Sequence, residues 1–258
     1  MIQKKINYCW FGGNSKPTSV MKCIKSWQKY CPDYEIIEWN EKNFDIHCNQ
    51  YVEEAYNAKK WSFVTDYARL WIIYNYGGIY FDTDVEVIKN IDEFLQYSAF
   101  LGLEDDIHVA TGLGFGAEKK NAIVKIMMDG YKNIHFVSDT GKLDLMPCPE
   151  RNTLAISQYL KNAKIINGIK YIEHAAIFPK EYFCPLDYET KIMRKTTHTY
   201  TIHWFDASWK EESEKILHEY NVKKNKYCKR FGEKIGNVIV KLIYRLCYPQ
   251  KRKILKEL

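Results

Sequence analysis

Trp61 to Val87, WSFVTDYARLWIIYNYGGIYFDTDVEV, is the stretch whose reading decides the fold. Trp61, Phe63, Val64, Tyr67, Ala68, Leu70, Trp71, Ile72, Ile73, Tyr74 and Tyr76 make its first part apolar nearly all round, the pattern of a buried helix over 61–76. Asp66 and Arg69 interrupt that pattern and, at i and i+3, share one face. Charged side chains are rarely buried without a partner. Two readings are open: an internal salt bridge, or a pair held rigidly at the edge of a polar ligand pocket. Gly77-Gly78 ends the helix, and Ile79-Tyr80-Phe81 reads as a short buried strand that runs into Asp82-Thr83-Asp84 and resumes as Val85-Glu86-Val87. Residues two apart on an extended strand face the same side, so the carboxylates of Asp82 and Asp84 are expected to converge. Two such charges beside a buried helix are costly unless a cation compensates, and a hard, oxygen-liganded ion such as Mg2+ or Mn2+ fits.

Upstream, Lys5 to Trp10 reads as a first strand stopped by Gly12-Gly13-Asn14. Pro17 opens a helix to about Lys29, and Tyr34 to Trp39 is a second strand. Strand, glycine loop, helix, strand is the start of an α/β domain with a ligand site at the carboxyl end of the strands. Downstream, Ala99 to Leu103 is expected as a buried strand ending in Glu104-Asp105-Asp106, and Val109 to Ala117 as one glycine-punctuated strand. Alternating Gly112, Gly114 and Gly116 suggest close approach of a ligand or another backbone. Helices are expected over 121–131 and 152–162, and a strand over 199–204 that ends in His203-Trp204 and precedes Ser208-Trp209.

With 258 residues and 46% hydrophobic content, the chain can bury one full core. Its formal charge of +6 is unevenly placed: from Lys223 to Leu258 there are 12 Lys and Arg against only Glu233 and Glu257, leaving a slightly acidic body. That distribution argues against a nucleic-acid binder, which would spread basic charge over a face of the fold. The eight cysteines form no CxxC pair and Met1 leads directly into a strand, so free thiols in a reducing cytoplasm are expected. No run of roughly 18 apolar residues would span a bilayer. The division expected is a catalytic domain over 1–220 and a basic tail over 221–258. In the tail, Ile235, Val238, Ile239, Leu242, Ile243 and Leu246 recur at helical spacing with Lys234, Lys241 and Arg245 on the other side, until Pro249 stops the pattern. Such a stripe suits either an anionic membrane surface or packing on the body.

Ser62-Phe63-Val64-Thr65-Asp66-Tyr67-Ala68-Arg69, then Tyr76-Gly77-Gly78-Ile79-Tyr80-Phe81-Asp82-Thr83-Asp84, with Tyr8-Cys9-Trp10-Phe11-Gly12-Gly13 upstream, closely resemble glycosyltransferase family 32, whose members include bacterial capsular-polysaccharide transferases. The resemblance spans roughly residues 1 to 210. It implies a GT-A fold, a Rossmann-like mixed sheet flanked by helices, and transfer from a nucleotide-sugar, UDP-linked or alternatively GDP-mannose, with retention at the anomeric carbon. By resemblance, Trp10 and Gly12 would lie at the nucleobase, Asp66 and Arg69 would bind and orient the sugar, Asp82 would contact ribose, sugar and metal, and Asp84 would ligate the cation directly. Thr83 belongs to the same donor-binding motif. His203 matches a carboxyl-terminal metal or diphosphate contact, and Ser208-Trp209 a segment closing over the diphosphate. The implied acceptor is a glycan or lipid-linked oligosaccharide in capsule, O-antigen or exopolysaccharide synthesis, and the implied location is cytoplasmic, peripheral on the inner face of the cell membrane.

Because no carboxylate is an evident nucleophile, front-face attack by the acceptor is favoured, with Glu104, Asp105 or Asp106 as alternatives that could approach the anomeric carbon. Asp-Thr-Asp-Val after an apolar strand also fits a haloacid-dehalogenase-like phosphatase using Asp82 as nucleophile. A non-catalytic nucleotide-sugar-binding module and a carboxylate-pair glycoside hydrolase are the other readings weighed.

Overall fold

Asn7 is the polar residue around which the first strands assemble. It lies on β1 (Lys5–Cys9) and is buried; its Nδ2 donates to the carbonyls of Gly77 and Ile79, and its Oδ1 accepts from Trp39 Nε1 at 2.9 Å. These bonds tie β1 to β2 (Glu35–Trp39) and β3 (Gly78–Tyr80), both parallel to it. The structure is a computed structural model that describes residues 1–188, 190–206 and 212–257. Ser208 and Trp209, expected to close over a diphosphate, lie outside the described residues.

Alternate residues of β1 face opposite sides of the sheet. Tyr8 meets Trp27 of α1 (Thr18–Tyr30) at 5.5 Å between ring centroids, while Cys9 enters the core formed by α2 (Gln50–Asn57) and α3 (Trp61–Tyr76). Helices thus cover both faces. Pro17 stands at the start of α1, and Gly77, with φ 70, ends α3 in a conformation that side chains other than glycine rarely adopt.

After β4 (Val85–Val87) comes a single 3-10 turn, Asp92–Phe94, followed by β5 (Ala99–Leu103), β6 (Val109–Ala110) and β7 (Phe115–Ala117). Next are α4 (Ala122–Asp129), α5 (Cys148–Ala155), α6 (Ser157–Lys161), β8 (Lys164–Ile166), β9 (Ile169–Ile172), β10 (Ala175–Phe178), α7 (Lys180–Phe183) and β11 (Thr201–His203). Among the described residues the main sheet runs β2-β1-β3-β7-β5-β10-β9-β8, with β6 on β5, and mixes parallel and antiparallel pairs. This mixed sheet between helices is the layout expected of a Rossmann-like GT-A fold.

Three expectations need correction. Residues 109–117 are not one strand: the chain bends at 111–114, where the Gly112 carbonyl accepts from Asp82 N at 3.0 Å instead of continuing the ladder. The helix expected over 152–162 begins at Cys148, with Pro149 in its first turn, and breaks at Ile156 into α5 and α6. Asp82-Thr83-Asp84 is not extended: Val85 N bonds Asp82 O at 3.1 Å, closing a turn, and β4 leaves the main sheet to pair antiparallel with β11.

The chain divides into two compact units, one of residues 1–186 and 193–204, the other of 187–192 and 205–258. The second contains α8 (Glu212–Phe231), α9 (Glu233–Leu246) and α10 (Pro249–Glu257). A boundary after residue 220 would fall inside α8, because its hydrogen-bonded backbone runs on to Phe231. Gly236, Val240 and Tyr244 are the buried residues of α9, whereas Ile235, Val238, Leu242 and Leu246 are 47 to 74% exposed. Tyr244 packs on Tyr220 of α8 with 5.0 Å between centroids, and Lys251 reaches Glu219 at 2.5 Å. No described helix is long and apolar enough to cross a membrane.

Candidate functional site

The helix that is apolar nearly all round brings Asp66 and Arg69 into the interior, and Arg69 finds two acids there. Its Nη2 lies 3.0 Å from Asp66 Oδ1 and 3.1 Å from Asp82 Oδ1, with the Arg69 and Asp66 side chains 6% and 11% exposed. Tyr80 OH donates to the same Asp82 oxygen at 3.0 Å. The internal ion pair left open by the sequence is therefore present, and it extends to the first acid of the motif. Burial pushes the Asp66 carboxyl up to about 6, against the pull of Arg69, and burial likewise raises Asp82. Burial opposes the charge of Arg69, but Asp82 and Asp66 hold its guanidinium firmly protonated.

The turn at 82–85 and the β4–β11 ladder supply the second half of the site. His203 ends β11 opposite Val85, and its Nε2 lies 3.2 Å from Asp84 Oδ1. Trp204 N bonds Asp84 O at 3.0 Å, so the two strands hold the motif from the backbone as well. Burial would lower the His203 pKa, but Asp84 raises it well above its ordinary value. One ligand atom from each of Asp82, Asp84 and His203 lies within 4.8 Å of the others. Atoms bound to a cation at about 2.1 Å can be up to about 4.2 Å apart, so the cluster needs little closure to fit a divalent ion. Two carboxylates with an imidazole suit Mn2+ better than Mg2+, which prefers oxygen throughout. A bound cation would replace the imidazolium proton as the charge compensating Asp84.

The remaining sequence candidates separate. Thr83 sits in the turn between the two acids. Glu104 is half-buried; desolvation raises its carboxyl, His203 opposes that shift, and Asp105 and Asp82 add to it, so it belongs to the electrostatics of the cluster. Asp105 instead secures its own loop, accepting from the amides of Ile107 and His108 and pairing with the His108 ring at 2.7 Å. Asp106 is exposed, 3.4 Å from Lys180. Trp10 donates through Nε1 to Asn14 O at 2.6 Å, holding the loop after β1. Gly12 packs against the Trp61 indole: an added Cβ would lie 2.8 Å from that ring.

Other contributors went unrecognised in the sequence. Gly112 packs so closely that a Cβ there would collide with Asp82 Oδ2, with Arg69 Nη1 at 3.0 Å. Cys148 at the start of α5 has its Sγ 3.7 Å from Arg69 Nη1, 3.2 Å from Thr111 Oγ1 and 3.1 Å from Asn152 Nδ2. Burial pushes its thiol up to about 12, so it serves as a neutral neighbour of the ion pair. The alternating glycines were the one available signal, and the close neighbour they accommodate at Gly112 is the Asp82 side chain. Around the Gly12 loop, a cavity of about 570 Å3 is lined also by Glu41, Tyr56, Lys59 and Trp61. Nothing in the spacing of those residues announced it.

Comparison with known proteins bears on this geometry. Residues 17–101, which include Asp66, Arg69, Asp82 and Asp84, match the family model described as a glycosyltransferase sugar-binding region containing a DXD motif. Inositol phosphoceramide mannosyltransferase 3 of Schizosaccharomyces pombe (strain 972 / ATCC 24843) is 31% identical over 108 residues, 39% of this chain. The match spans only 29% of that relative's length. Among solved structures, PaToxG glycosyltransferase superposes with a TM-score of 0.48 at 18% identity, covering 62% of this chain and 71% of that one. A glycosyltransferase involved in glycosylation of the major capsid of PBCV-1 gives a TM-score of 0.44 at 13% identity, covering 78% and 94%.

Proposed function

We propose that this chain is a metal-dependent glycosyltransferase that moves a hexose or N-acetylhexosamine from a nucleotide-sugar to a glycan acceptor. The observation that carries the reading is the convergence of Asp82, Asp84 and His203 beside the buried Asp66–Arg69 pair, in a chain whose residues 17–101 match a DXD sugar-binding region. A divalent cation held by those three side chains would supply Lewis-acid neutralisation of the leaving diphosphate. Arg69 fixes the Asp82 carboxylate from within the core and opposes the rise in its pKa that burial causes. Asp66, sharing that guanidinium, limits how far Arg69 can follow Asp82. Glu104, which feels His203 and Asp82 electrostatically, is the carboxylate of its loop that we propose would stabilise positive charge forming on the sugar ring. Departure and attack on one face, with retention, is the stereochemistry proposed from the family resemblance.

The resemblance further supports a uridine-linked donor and an oligosaccharide acceptor on a lipid carrier, in capsule, O-antigen or exopolysaccharide assembly. The proposed location is the inner face of the cell membrane, reached through the basic tail. The exposed row Ile235, Val238, Leu242 and Leu246, in a segment rich in Lys and Arg, supports that contact.

A panel of nucleotide-sugars incubated with Mn2+ and no acceptor tests the activity by slow donor hydrolysis. The expected result is turnover of one donor, abolished by EDTA, and reduced at least ~100-fold by Asp84→Asn with the folded state retained. Full activity of Asp84→Asn at saturating donor would remove the metal-ligand assignment.

A further inference from the structure

We propose that Cys184 is a positioning residue of the acidic cluster, its sulfur holding the His203 imidazole from the side away from Asp84 so that Nε2 stays aimed at the cation position; this rests on the metal-dependent reading above. A short run of hydrogen bonds brings the two residues together. Thr199 Oγ1 donates to Glu181 O at 2.8 Å, Tyr200 N to Tyr182 O at 2.8 Å, and Thr201 Oγ1 to Phe183 O at 3.0 Å. Three successive residues entering β11 are thereby clipped to three successive carbonyls at the end of α7, and the next residue on that side is Cys184.

Cys184 caps α7, its N bonded to Lys180 O at 2.7 Å, and is 3% exposed, so the thiol has little freedom to move. Its Sγ donates to Leu186 O at 3.7 Å, which leaves the sulfur lone pairs to accept from another group. His203 supplies that donor. Its Nε2 lies 3.2 Å from Asp84 Oδ1, and its Nδ1 is closed off from solvent. Burial works against a charged ring, Asp84 supports it, and a hydrogen bond to Cys184 adds to that support, which puts the sulfur at the imidazole. With Nε2 turned to Asp84, the sulfur meets Nδ1.

A histidine ligates a cation through Nε2 only when that nitrogen is unprotonated, so the proton of the neutral ring belongs on Nδ1. The chain Nδ1–H···Sγ–H···O=C, ending on Leu186, fixes the tautomer and the plane of the ring together. Nδ1 donates in the same direction whether Nε2 faces Asp84 or a cation, and the cation finds the imidazole already oriented. Without the sulfur a buried N–H would lose its acceptor, and a turn of the ring to recover one would carry Nε2 out of line.

Titration of Mn2+ with the full chain, followed by the paramagnetic resonance of the free ion, tests the proposal. Cys184→Ala should fold and bind Mn2+ at least ~10-fold more weakly, the loss typical of removing the partner behind a metal-bound histidine. Cys184→Ser, whose hydroxyl can accept from the ring and donate to Leu186 O, should stay within about threefold of the native chain, a rescue that a packing role would not give. Should the alanine variant fail to fold, Cys184→Val fills the site without an acceptor and serves the same comparison. Native affinity in a folded alanine or valine variant, equal weakening by serine, or loss of the fold in both apolar variants would overturn the positioning role. Those outcomes leave the metal reading standing so long as the native chain binds Mn2+ and Asp84→Asn does not. Failure of the native chain to bind Mn2+, or equal binding by Asp84→Asn, would remove that reading and the role of Cys184 with it.

Discussion

A side chain at position 112 would occupy the space that Asp82 Oδ2 now fills, so glycine there sets where the first acid of the motif can sit. Gly112→Ala should leave the core packed but displace the carboxylate. Misplacement of a reacting group by an ångström costs about 100-fold in rate, and Mn2+-dependent donor hydrolysis should fall by that order. Retention of full activity in a folded Gly112→Ala protein would show that Asp82 can move without penalty. Arg69 illustrates why the sequence left its role open. A charge on an apolar helix signals a partner but does not identify it, and the Arg69 guanidinium turned out to serve Asp66 and Asp82 together. Asp82 and Asp84 were legible because their spacing and the preceding Gly-Gly turn are local. The reason they come together was not, since a turn and a second small sheet do the work assigned to an extended strand.

At the level of elements, α3 was legible to the residue because sixteen positions of apolar pattern end in two glycines. α2 was missed: its buried residues are Tyr51, Val52 and Ala55, too few to reveal a helical period, and Asn49 capping Val52 N at 3.4 Å is a signal common to many loops. β8 lacks a buried face altogether, so no alternation marked it. Glu54 on α2 binds a distant segment, accepting from Val137 N at 3.0 Å and pairing with His135 Nδ1 at 2.8 Å. Burial works to raise the Glu54 pKa, but the Val137 amide and the His135 ring outweigh it and hold the carboxyl below its usual value. A depressed carboxyl stabilises the fold above its unfolded pKa of about 4.3 and loses that contribution as pH falls through the lower folded value. Glu54→Gln should therefore unfold more easily than the native chain near neutrality, by about 1 kcal/mol, with the two denaturation curves converging below about pH 4. A gap that persists unchanged into acid would mean that packing, not charge, is lost in the variant.

Across the whole molecule, two units carry different physics. The first buries an aromatic core on both sides of a mixed sheet; the second is a set of helices whose α9 leaves an apolar row outward. If that row meets lipid, the full chain should float with vesicles containing about 30% anionic phospholipid and stay unbound with neutral ones, each Lys or Arg near the surface adding about 1 kcal/mol. Val238→Glu with Leu242→Glu should abolish flotation without unfolding the helices, as both side chains are exposed; undiminished flotation would assign the stripe another partner. The β4–β11 ladder has a consequence of another kind. His203 is translated long after Asp82 and Asp84, and among the described residues β4 has no strand partner until Thr201–His203 has left the ribosome. A nascent or prematurely terminated chain that already displays the complete acidic motif therefore lacks its imidazole. On the proposed function, translation itself would time the moment at which the chain can begin to spend activated sugar.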